Sequence, residues 1–488
     1  MFIKRCFVIF FVSVATLSAQ ATKFPQIEPE PWTQHYAPLG KQATLSWQDV
    51  VAASLYASGV NESAYVRFEQ TIRDAVTELR QDPDLPSDQR SRGNYILTYI
   101  HKKFFKKYVS GQTRIDVIVQ SGTYNCVSSA VFYMIFALAA GMDVQGVMTH
   151  DHAFITINAG TASQPDLIDV ETTNSYGFDP GNRREFYDSF GKTGFVYTPA
   201  TNYRDRTNIS QLELVSLILT NRMAEIERKR DFTNSIPVAA NFAALLSQRA
   251  KPVNSPIFPD PQKTLTDRLN NFGLTLLNSG KEADAISWAH QTQAFYPDNQ
   301  WQHDLIYKAT YNYVVKSAQK NQFNPARLFL TAQSPDLTPD ELTKIETVLV
   351  ESELVRKSTQ LKTLRDTENF LQDVESAQSV LSAARLSEMR TLGLLKKAEF
   401  ISSGQGSLEA IAFLESAIAQ YGRNANLDKG LQMFQTNRVA ELHNSFAGQY
   451  NSGDFNSARI TILNALQEFP DNRQLRQDKA IIDRIQNQ

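Results

Sequence analysis

The sequence predicts two kinds of fold in one chain, an α+β domain followed by an all-α helical solenoid. Three observations predict this. Between residues 122 and 172 a long apolar run precedes short segments of strand-forming residues, as in a helix packed on a sheet. A proline-rich segment at residues 252–262 then interrupts the chain. Beyond it, helix-and-turn patterns with related spacing recur.

Length and composition fit a multidomain globular protein. The chain has 488 residues, of which 42% are hydrophobic and 20% charged, so two or three domains with ordinary cores are expected. The formal net charge of −2 argues against a nucleic-acid partner, because such binding depends on neutralising phosphates.

The first 21 residues have the pattern of a signal peptide. Lys4 and Arg5 form a basic start, residues 7–17 are apolar, and Ala19-Gln20-Ala21 has the small-x-small form of a cleavage site. The apolar run is shorter than the about 20 residues that a bilayer span needs. We therefore expect a periplasmic or secreted protein without a membrane span.

Export would leave a single thiol. Of the two cysteines, Cys6 would leave with the signal peptide, and Cys126 would remain without a disulfide partner in its chain. A lone cysteine is either a small buried hydrophobe or a reactive group. Cys126 stands directly before the apolar residues 127–140, which predict a buried helix ended by Gly141. The positive end of a helix favours a thiolate, so the reactive alternative is preferred.

Elements on both sides of this helix complete the predicted domain. Before it, residues 46–57, 64–79 and 94–108 predict amphipathic helices. After it, residues 144–149, 152–157 and 167–172 predict strands, with a loop at residues 158–166. We expect His152 and Asp169 to be cross-strand neighbours in an antiparallel pair.

A thiol, an imidazole and a carboxylate thus follow in order, as Cys126, His152 and Asp169. A cysteine nucleophile needs such a set, with a base to accept its proton and an acid to orient the base. Two alternatives stay open. One is a zinc site formed by Cys126, His150, His152 and Asp169. The other is a protein-binding scaffold in which the triad is a non-catalytic relic.

These residues resemble the transglutaminase-like superfamily of papain-like cysteine enzymes. That family places a glycine shortly before a helix-starting cysteine, His-Ala-Trp on a strand and Asp-Pro-Thr on the next strand. The matches here are Gly122 with Cys126, His152-Ala153-Phe154, and Asp169-Val170-Glu171-Thr172. The resemblance implies a papain/transglutaminase-like fold with Cys126 as nucleophile, His152 as base and Asp169 as its orienting acid. No metal or organic cofactor is expected.

The intermediate of such a reaction carries an oxyanion. The backbone amide of Cys126 is the expected donor to it, because this amide lies at the helix start. Gln112 and Gln120 are candidates for a second, side-chain donor, and the sequence does not decide between them.

The C-terminal part contains a repeated motif. Asn278-Ser279-Gly280 recurs as Asn451-Ser452-Gly453, and each copy is followed 17 residues later by a proline, Pro297 or Pro470. Weaker copies lie at residues 321–333 and 403–422. The motif resembles the tetratricopeptide repeat, a helix pair of about 34 residues. Such arrays present concave surfaces, so we expect a protein partner there.

Together these patterns predict four segments: a signal peptide at 1–21, a transglutaminase-like domain at 22–205, a helical connector with a proline-rich linker at 206–262, and tetratricopeptide-like repeats at 263–488. The expected function is amide acyl chemistry on a protein or peptide substrate. Water as acceptor gives a peptidase or amidase, and an amine gives transglutaminase-type acyl transfer. Hydrolysis is preferred because water is always present. A fragment ending near Pro261 is expected to fold alone.

Overall fold

A computed structural model describes residues 23–180, 206–251, 253, 255–297 and 299–485. The predicted signal peptide lies outside the described residues. Internal contacts divide the chain into two compact units, Met1–Leu305 and Ile306–Gln488. Each unit has its own architecture.

Helices surround a small sheet in the first unit. The helices are α1 (Pro31–Tyr36), α2 (Trp47–Ala57), α3 (Glu62–Gln81), α4 (Gln89–Lys103), α5 (Ile115–Ser121), α6 (Cys126–Ala139), α7 (Gln211–Arg228), α8 (Phe232–Leu245), α9 (Pro261–Asn278) and α10 (Glu282–Phe295), and α11 (Gln300–Gln319) contains the division point. A short 3-10 helix, Ala37–Lys41, follows α1. The three helices predicted before Cys126 correspond to α2, α3 and α4.

Six short strands form two sheets in the part of this unit that the structure describes. The strands are β1 (Lys107–Tyr108), β2 (Thr123–Tyr124), β3 (Asp143–Met148), β4 (Ala153–Asn158), β5 (Leu167–Val170) and β6 (Thr207–Ile209). β1 and β2 pair in parallel, and the other four form an antiparallel sheet in the order β5-β4-β3-β6. The three strands predicted after the Cys126 helix are confirmed, with ends that differ by one or two residues.

α6 is the central helix of the first unit, and it packs against α2, α4, α7, β3 and β4. All of its residues but one are buried, as expected for an apolar run without glycine or proline. Its start is fixed by a capping box: the Asn125 side chain accepts from the Ser128 amide, and the Ser128 hydroxyl accepts from the Asn125 amide, both at 2.9 Å. The cap places Cys126 in the first turn.

Gly122 is required where the chain approaches α6. Its φ is +75°, and a Cβ atom there would lie 2.6 Å from the Phe104 carbonyl oxygen. Only glycine combines this left-handed backbone with so close an approach. The glycine thus lets the chain turn from α5 into β2 and then into α6.

The proline-rich segment does not divide the two units. Pro261 occupies the first turn of α9, where a missing amide hydrogen costs no helical bond, so the prolines begin a helix here. α9 packs against α8, and its Arg268 donates to both carboxylate oxygens of Glu227 in α7, at 2.6 and 3.1 Å. Tyr296 is the C-cap residue of α10, and its hydroxyl donates to the Ile27 carbonyl. Residues 263–305, expected in the repeat array, therefore group with the first unit.

Helices alone make up the described part of the second unit. They are α12 (Phe323–Gln333), α13 (Pro339–Ser358), α14 (Leu364–Ser376), α15 (Ala383–Gln405), α16 (Ser407–Tyr421), α17 (Ala425–Asn451), α18 (Phe455–Glu468) and α19 (Arg473–Ile485), preceded by the end of α11. From α12 onward, each helix packs on the next one in sequence, as in a helical solenoid. Four core clusters follow one another along the chain, within residues 314–349, 354–389, 394–434 and 442–482.

Both strong copies of the repeated motif are helix pairs with the same turn. Gly280 separates α9 from α10 with φ +73°, and Gly453 separates α17 from α18 with φ +83°. The second helix of each pair ends with similar backbone angles, at Tyr296 and Phe469. The first pair belongs to the first unit and the second pair to the second unit. Within the described residues, no helix is long and apolar enough to cross a membrane.

Candidate active site

A cleft of about 260 Å³ opens at the start of α6. Its walls come from four places in the first unit: the end of β1, the start of α6, the turn between β3 and β4, and one face of α7. Cys126 lines it and is only 8% exposed. The lining residues are Tyr108, Ser110, Asn125, Cys126, Val127, Met148, Thr149, His150, Asp151, His152, Ala153, Leu217, Thr220 and Asn221.

His152 links the thiol to a buried carboxylate. It stands directly before β4, in a turn closed by a hydrogen bond from the Thr149 amide to the His152 carbonyl, at 2.8 Å. Its ring Nε2 lies 2.5 Å from Oε2 of Glu171, and its ring interacts electrostatically with the Cys126 side chain. Because Nε2 faces the carboxylate, Nδ1 is the nitrogen that can exchange a proton with the thiol.

Glu171 is held in place from several directions. Its Oε1 accepts hydrogen bonds from the Thr173 amide at 3.1 Å and from the Thr173 hydroxyl at 2.6 Å. Its own amide donates to the Gly177 carbonyl at 2.7 Å. A Cβ atom on Gly177 would lie 2.0 Å from the Glu171 carbonyl oxygen, so a side chain at residue 177 would displace Glu171. The carboxylate is therefore fixed by the turn that follows β5.

The electrostatics favour a charged pair. Burial of the His152 ring opposes its charged form, but the Glu171 carboxylate and the Cys126 side chain outweigh this and raise the pKa of His152 to about 10. Burial works against the charged form of Glu171 too, yet its attraction to His152 and its hydrogen bonds lower the pKa of its carboxyl. At neutral pH the site therefore holds an imidazolium beside a carboxylate, and such an imidazolium stabilises a neighbouring thiolate.

The expectation that Asp169 orients His152 is corrected by the strand register. In the β4–β5 pair Asp169 lies opposite Thr156, four residues beyond His152 and thus about 13 Å along the strand. Arg206 donates to both oxygens of the Asp169 carboxylate, at 2.7 and 2.9 Å, and Thr156 donates to it at 2.8 Å. Glu171 shares the face of Asp169 two residues on, and it is this carboxylate that reaches His152.

The signal for this register was present in the predicted loop at residues 158–166. Strands that flank such a loop pair residue 157 with residue 167 or 168, and the structure pairs Ile157 with Ile168. That register places residues 171–173 level with His152, whereas Asp169 lies farther along the strand. Asn158 holds the loop by accepting from the amides of Gly160 and Asp166, at 3.0 and 3.1 Å.

Tyr108 is a site residue that the sequence reasoning missed. It lines the cleft with Cys126, with which its hydroxyl interacts electrostatically, and β1 holds it beside Tyr124. Burial and then the Cys126 charge raise the pKa of Tyr108, so it remains a protonated donor. A two-residue strand leaves no periodic pattern, which is why no sequence signal indicated it.

The two glutamines considered as oxyanion donors do not fill that role. The Gln112 amide donates to the carbonyls of Arg114 and Thr123, so it stabilises the turn before α5. Gln120 lies exposed on α5, outside the residues that line the cleft.

The zinc alternative does not gather its four ligands. Asp169 is bound by Arg206, and His150 is exposed at the rim of the cleft. Within the part of the chain that the structure describes, no group of three or more His, Cys, Asp and Glu side chains is arranged to hold a metal ion.

Comparison with models of known protein families and with curated protein sequences finds no match. Functional inference for this chain therefore depends on the chemistry of the cleft.

Proposed function

We propose that this protein carries out cysteine-dependent acyl chemistry on amide bonds of peptides or proteins. Cys126 is the nucleophile, His152 the base, and Glu171 the residue that orients and charges the imidazole. One observation carries the proposal: His152 contacts a buried carboxylate and lines the same cleft as the thiol of a helix-starting cysteine, with which it interacts electrostatically.

The reaction would proceed in two halves. The Cys126 thiolate attacks the carbonyl carbon, a C–S bond forms, and the carbonyl π electrons move to the oxygen. His152 then gives its proton to the leaving amine as the C–N bond breaks, which leaves a thioester on Cys126. Water or a second amine attacks the thioester while His152 accepts its proton, and the thiolate is released with an acid or a new amide.

Two groups are placed to stabilise the oxyanion. Backbone amides in the first turn of a helix have no intrahelical partner, and Cys126 is the first residue of α6. The Tyr108 hydroxyl, which lines the same cleft as the thiol, would provide a second donor. We favour water as acceptor, which makes the protein a peptidase or amidase rather than a transglutaminase-type acyltransferase.

This arrangement is similar to the one that the transglutaminase-like resemblance implies, with a helix-starting thiol and an imidazole and carboxylate from adjacent strands. The carboxylate differs, since Glu171 takes the role given to Asp169 in the motif. The alternative, a binding scaffold with a relict triad, predicts an ordinary thiol.

Alkylation of Cys126 separates the two functions. The second-order rate constant for iodoacetamide is measured at pH 6.0 and 8.5 in wild type and in His152→Ala. An enzyme keeps fast alkylation at pH 6.0, well below the ordinary thiol pKa of about 8.5, and loses it in His152→Ala. A wild-type rate that falls about 160-fold from pH 8.5 to pH 6.0, as for a free thiol of pKa about 8.5, would exclude the triad.

The acyl-enzyme itself supplies the second test. Wild type and Cys126→Ala are mixed with an extract of exported proteins, quenched in acid and digested for mass spectrometry. An acyl group on the Cys126 peptide, absent from the variant, identifies the substrate. A wild-type protein that alkylates fast but forms no adduct with peptides of any extract fraction would count against acyl chemistry.

We further propose that the protein is exported and that the second unit binds a protein partner. Large apolar side chains are exposed on its helices, among them Leu328 at 73% and Ile460 at 61%. Isolated exposed leucines are ordinary, so the test must be local. A photocrosslinker placed at residue 460 of the full chain should capture a defined partner, and one placed at residue 328 maps whether the same surface extends there.

A further inference from the structure

A second groove adjoins the Cys126 cleft. It has a volume of about 580 Å³ and is lined by Val109, Gly111, Gln112, Thr113, Arg114, Arg222, Glu225, Ile226 and Arg228. Both depressions have the same two walls, the segment after β1 and one face of α7. Asn221 lines the first cleft and donates to Thr113 of the groove at 3.4 Å, which marks their junction.

The charges in this groove are unequal. Arg114 is neutralised by Asp116, through hydrogen bonds of 2.7 and 3.1 Å, and the exposed Arg228 pairs with Glu225. Arg222 differs from both. Among the described residues its polar contact is the Ala57 carbonyl at 2.6 Å, and no carboxylate lies within ion-pair distance.

The Arg222 guanidinium has five N–H donors. One of them binds the Ala57 carbonyl at the end of α2. The remaining positive charge is partly buried beside Arg114. Burial and then repulsion by Arg114 lower the pKa of Arg222, and the more distant Glu30 and Asp116 offset this only in part. An anion bound there would relieve this cost.

We propose that the groove is a subsite for a carboxylate of the substrate, so that the protein acts on peptides bearing an acidic group near the scissile bond. The proposal rests on the proposed function of Cys126 and extends it to substrate class. Leu217 lines the Cys126 cleft, and Arg222 lines the groove. Arg222 lies five residues beyond Leu217 on α7, about 7 Å along the helix axis. Two extended peptide residues span that distance.

Peptide electrophiles of defined charge test this subsite. The probes are N-iodoacetyl-Gly-Gly with a free C-terminal carboxylate and the same compound as its amide. A second pair, N-iodoacetyl-Gly-Glu-amide and N-iodoacetyl-Gly-Gln-amide, places the charge on a side chain. Saturation kinetics of Cys126 alkylation give the half-saturating concentration and the limiting rate for each probe.

We expect at least one acidic probe to saturate at about tenfold lower concentration than its neutral partner, because a guanidinium–carboxylate bond is charge-assisted. The pair that shows the difference tells whether a terminal or a side-chain carboxylate is bound. Arg222→Gln should abolish the preference and Arg222→Lys should keep part of it. Arg228→Gln is the matched control, because Arg228 is exposed and already paired with Glu225.

The outcomes are separable. Equal half-saturation for acidic and neutral probes, with iodoacetamide still reacting in a His152-dependent manner, overturns the subsite and leaves the proposed function intact. Slow reaction of every probe, iodoacetamide included, counts against the proposed function itself. If Arg222→Gln does not fold, as judged by circular dichroism, the comparison of wild type with Arg222→Lys still decides. An acidic preference that survives in Arg222→Gln, or that is unaffected by 0.5 M salt, would contradict recognition by the Arg222 charge.

Discussion

Replacing Glu171 by Gln removes one charge from the centre of the site and little else. The carboxylate is 2% exposed, contacts His152 Nε2 at 2.5 Å and accepts two hydrogen bonds from Thr173. The rise of the His152 pKa from 6.5 to about 10 corresponds to stabilisation of the imidazolium by about 5 kcal/mol. If only a third of this comes from Glu171, its loss still costs more than tenfold in the population of the charged pair.

The assay is the rate of iodoacetamide alkylation of Cys126 from pH 5 to pH 10. Wild type should change little between pH 6 and 8.5, whereas Glu171→Gln should lose at least about tenfold at pH 6 and approach wild type at high pH. Asp169→Asn is the matched control, since it removes a carboxylate of the same sheet face that is paired with Arg206. Its alkylation profile should stay within about twofold of wild type.

The two variants should rank in the opposite order in stability, with the larger loss in Asp169→Asn. The Asp169 and Arg206 side chains are 8% and 7% exposed, so Asp169→Asn removes the charge from a buried ion pair and should destabilise the first unit by about 3 kcal/mol. If Asp169→Asn slows alkylation at pH 6 and Glu171→Gln does not, the orienting acid is Asp169 and the register argument is refuted.

Three further outcomes follow from the contacts. Folding raises the pKa of His152, so the contribution of its charge to stability is full below about pH 6.5 and is lost as the pH rises toward about 10. The difference in melting temperature between wild type and Glu171→Gln should therefore shrink over that range. Tyr108→Phe should keep the pH profile of alkylation but slow formation of the acyl-enzyme about tenfold in a quenched-flow mass measurement, and an unchanged rate would remove Tyr108 from oxyanion stabilisation. A fragment ending at Leu305 should melt cooperatively, whereas one ending at Pro261 loses the packing of α9 on α8 and should not; equal melting of both would restore the boundary at the proline-rich segment.

Local patterns predicted the helix and strands that carry the site. The apolar run after Cys126 and the capping side chain of Asn125 fix α6, because both act within one turn of the helix. Alternation and turn residues placed β3, β4 and β5 within two residues of their ends. These elements depend on interactions between residues close in sequence, and such interactions can be read from one sequence.

Features that depend on distant pairing were harder to predict. The choice between Asp169 and Glu171 is made by the register of two strands, and a shift of a few residues exchanges one carboxylate for another. Tyr108 reaches the thiol because β1 pairs with β2, which is a contact between two-residue strands. The boundary at Leu305 arises from packing of α9 on α8, which a proline count does not show.

The succession of core clusters in the second unit has a mechanical consequence. Each cluster draws its residues from a short, separate stretch of chain, as in residues 354–389 and 442–482. A pulling force applied to the two ends would be borne by these clusters in series, so the unit should yield in steps rather than all at once. Each step would release about 14 nm of extended chain, at roughly 3.6 Å per residue. A unit built this way can lengthen under load and shorten again when the load is removed.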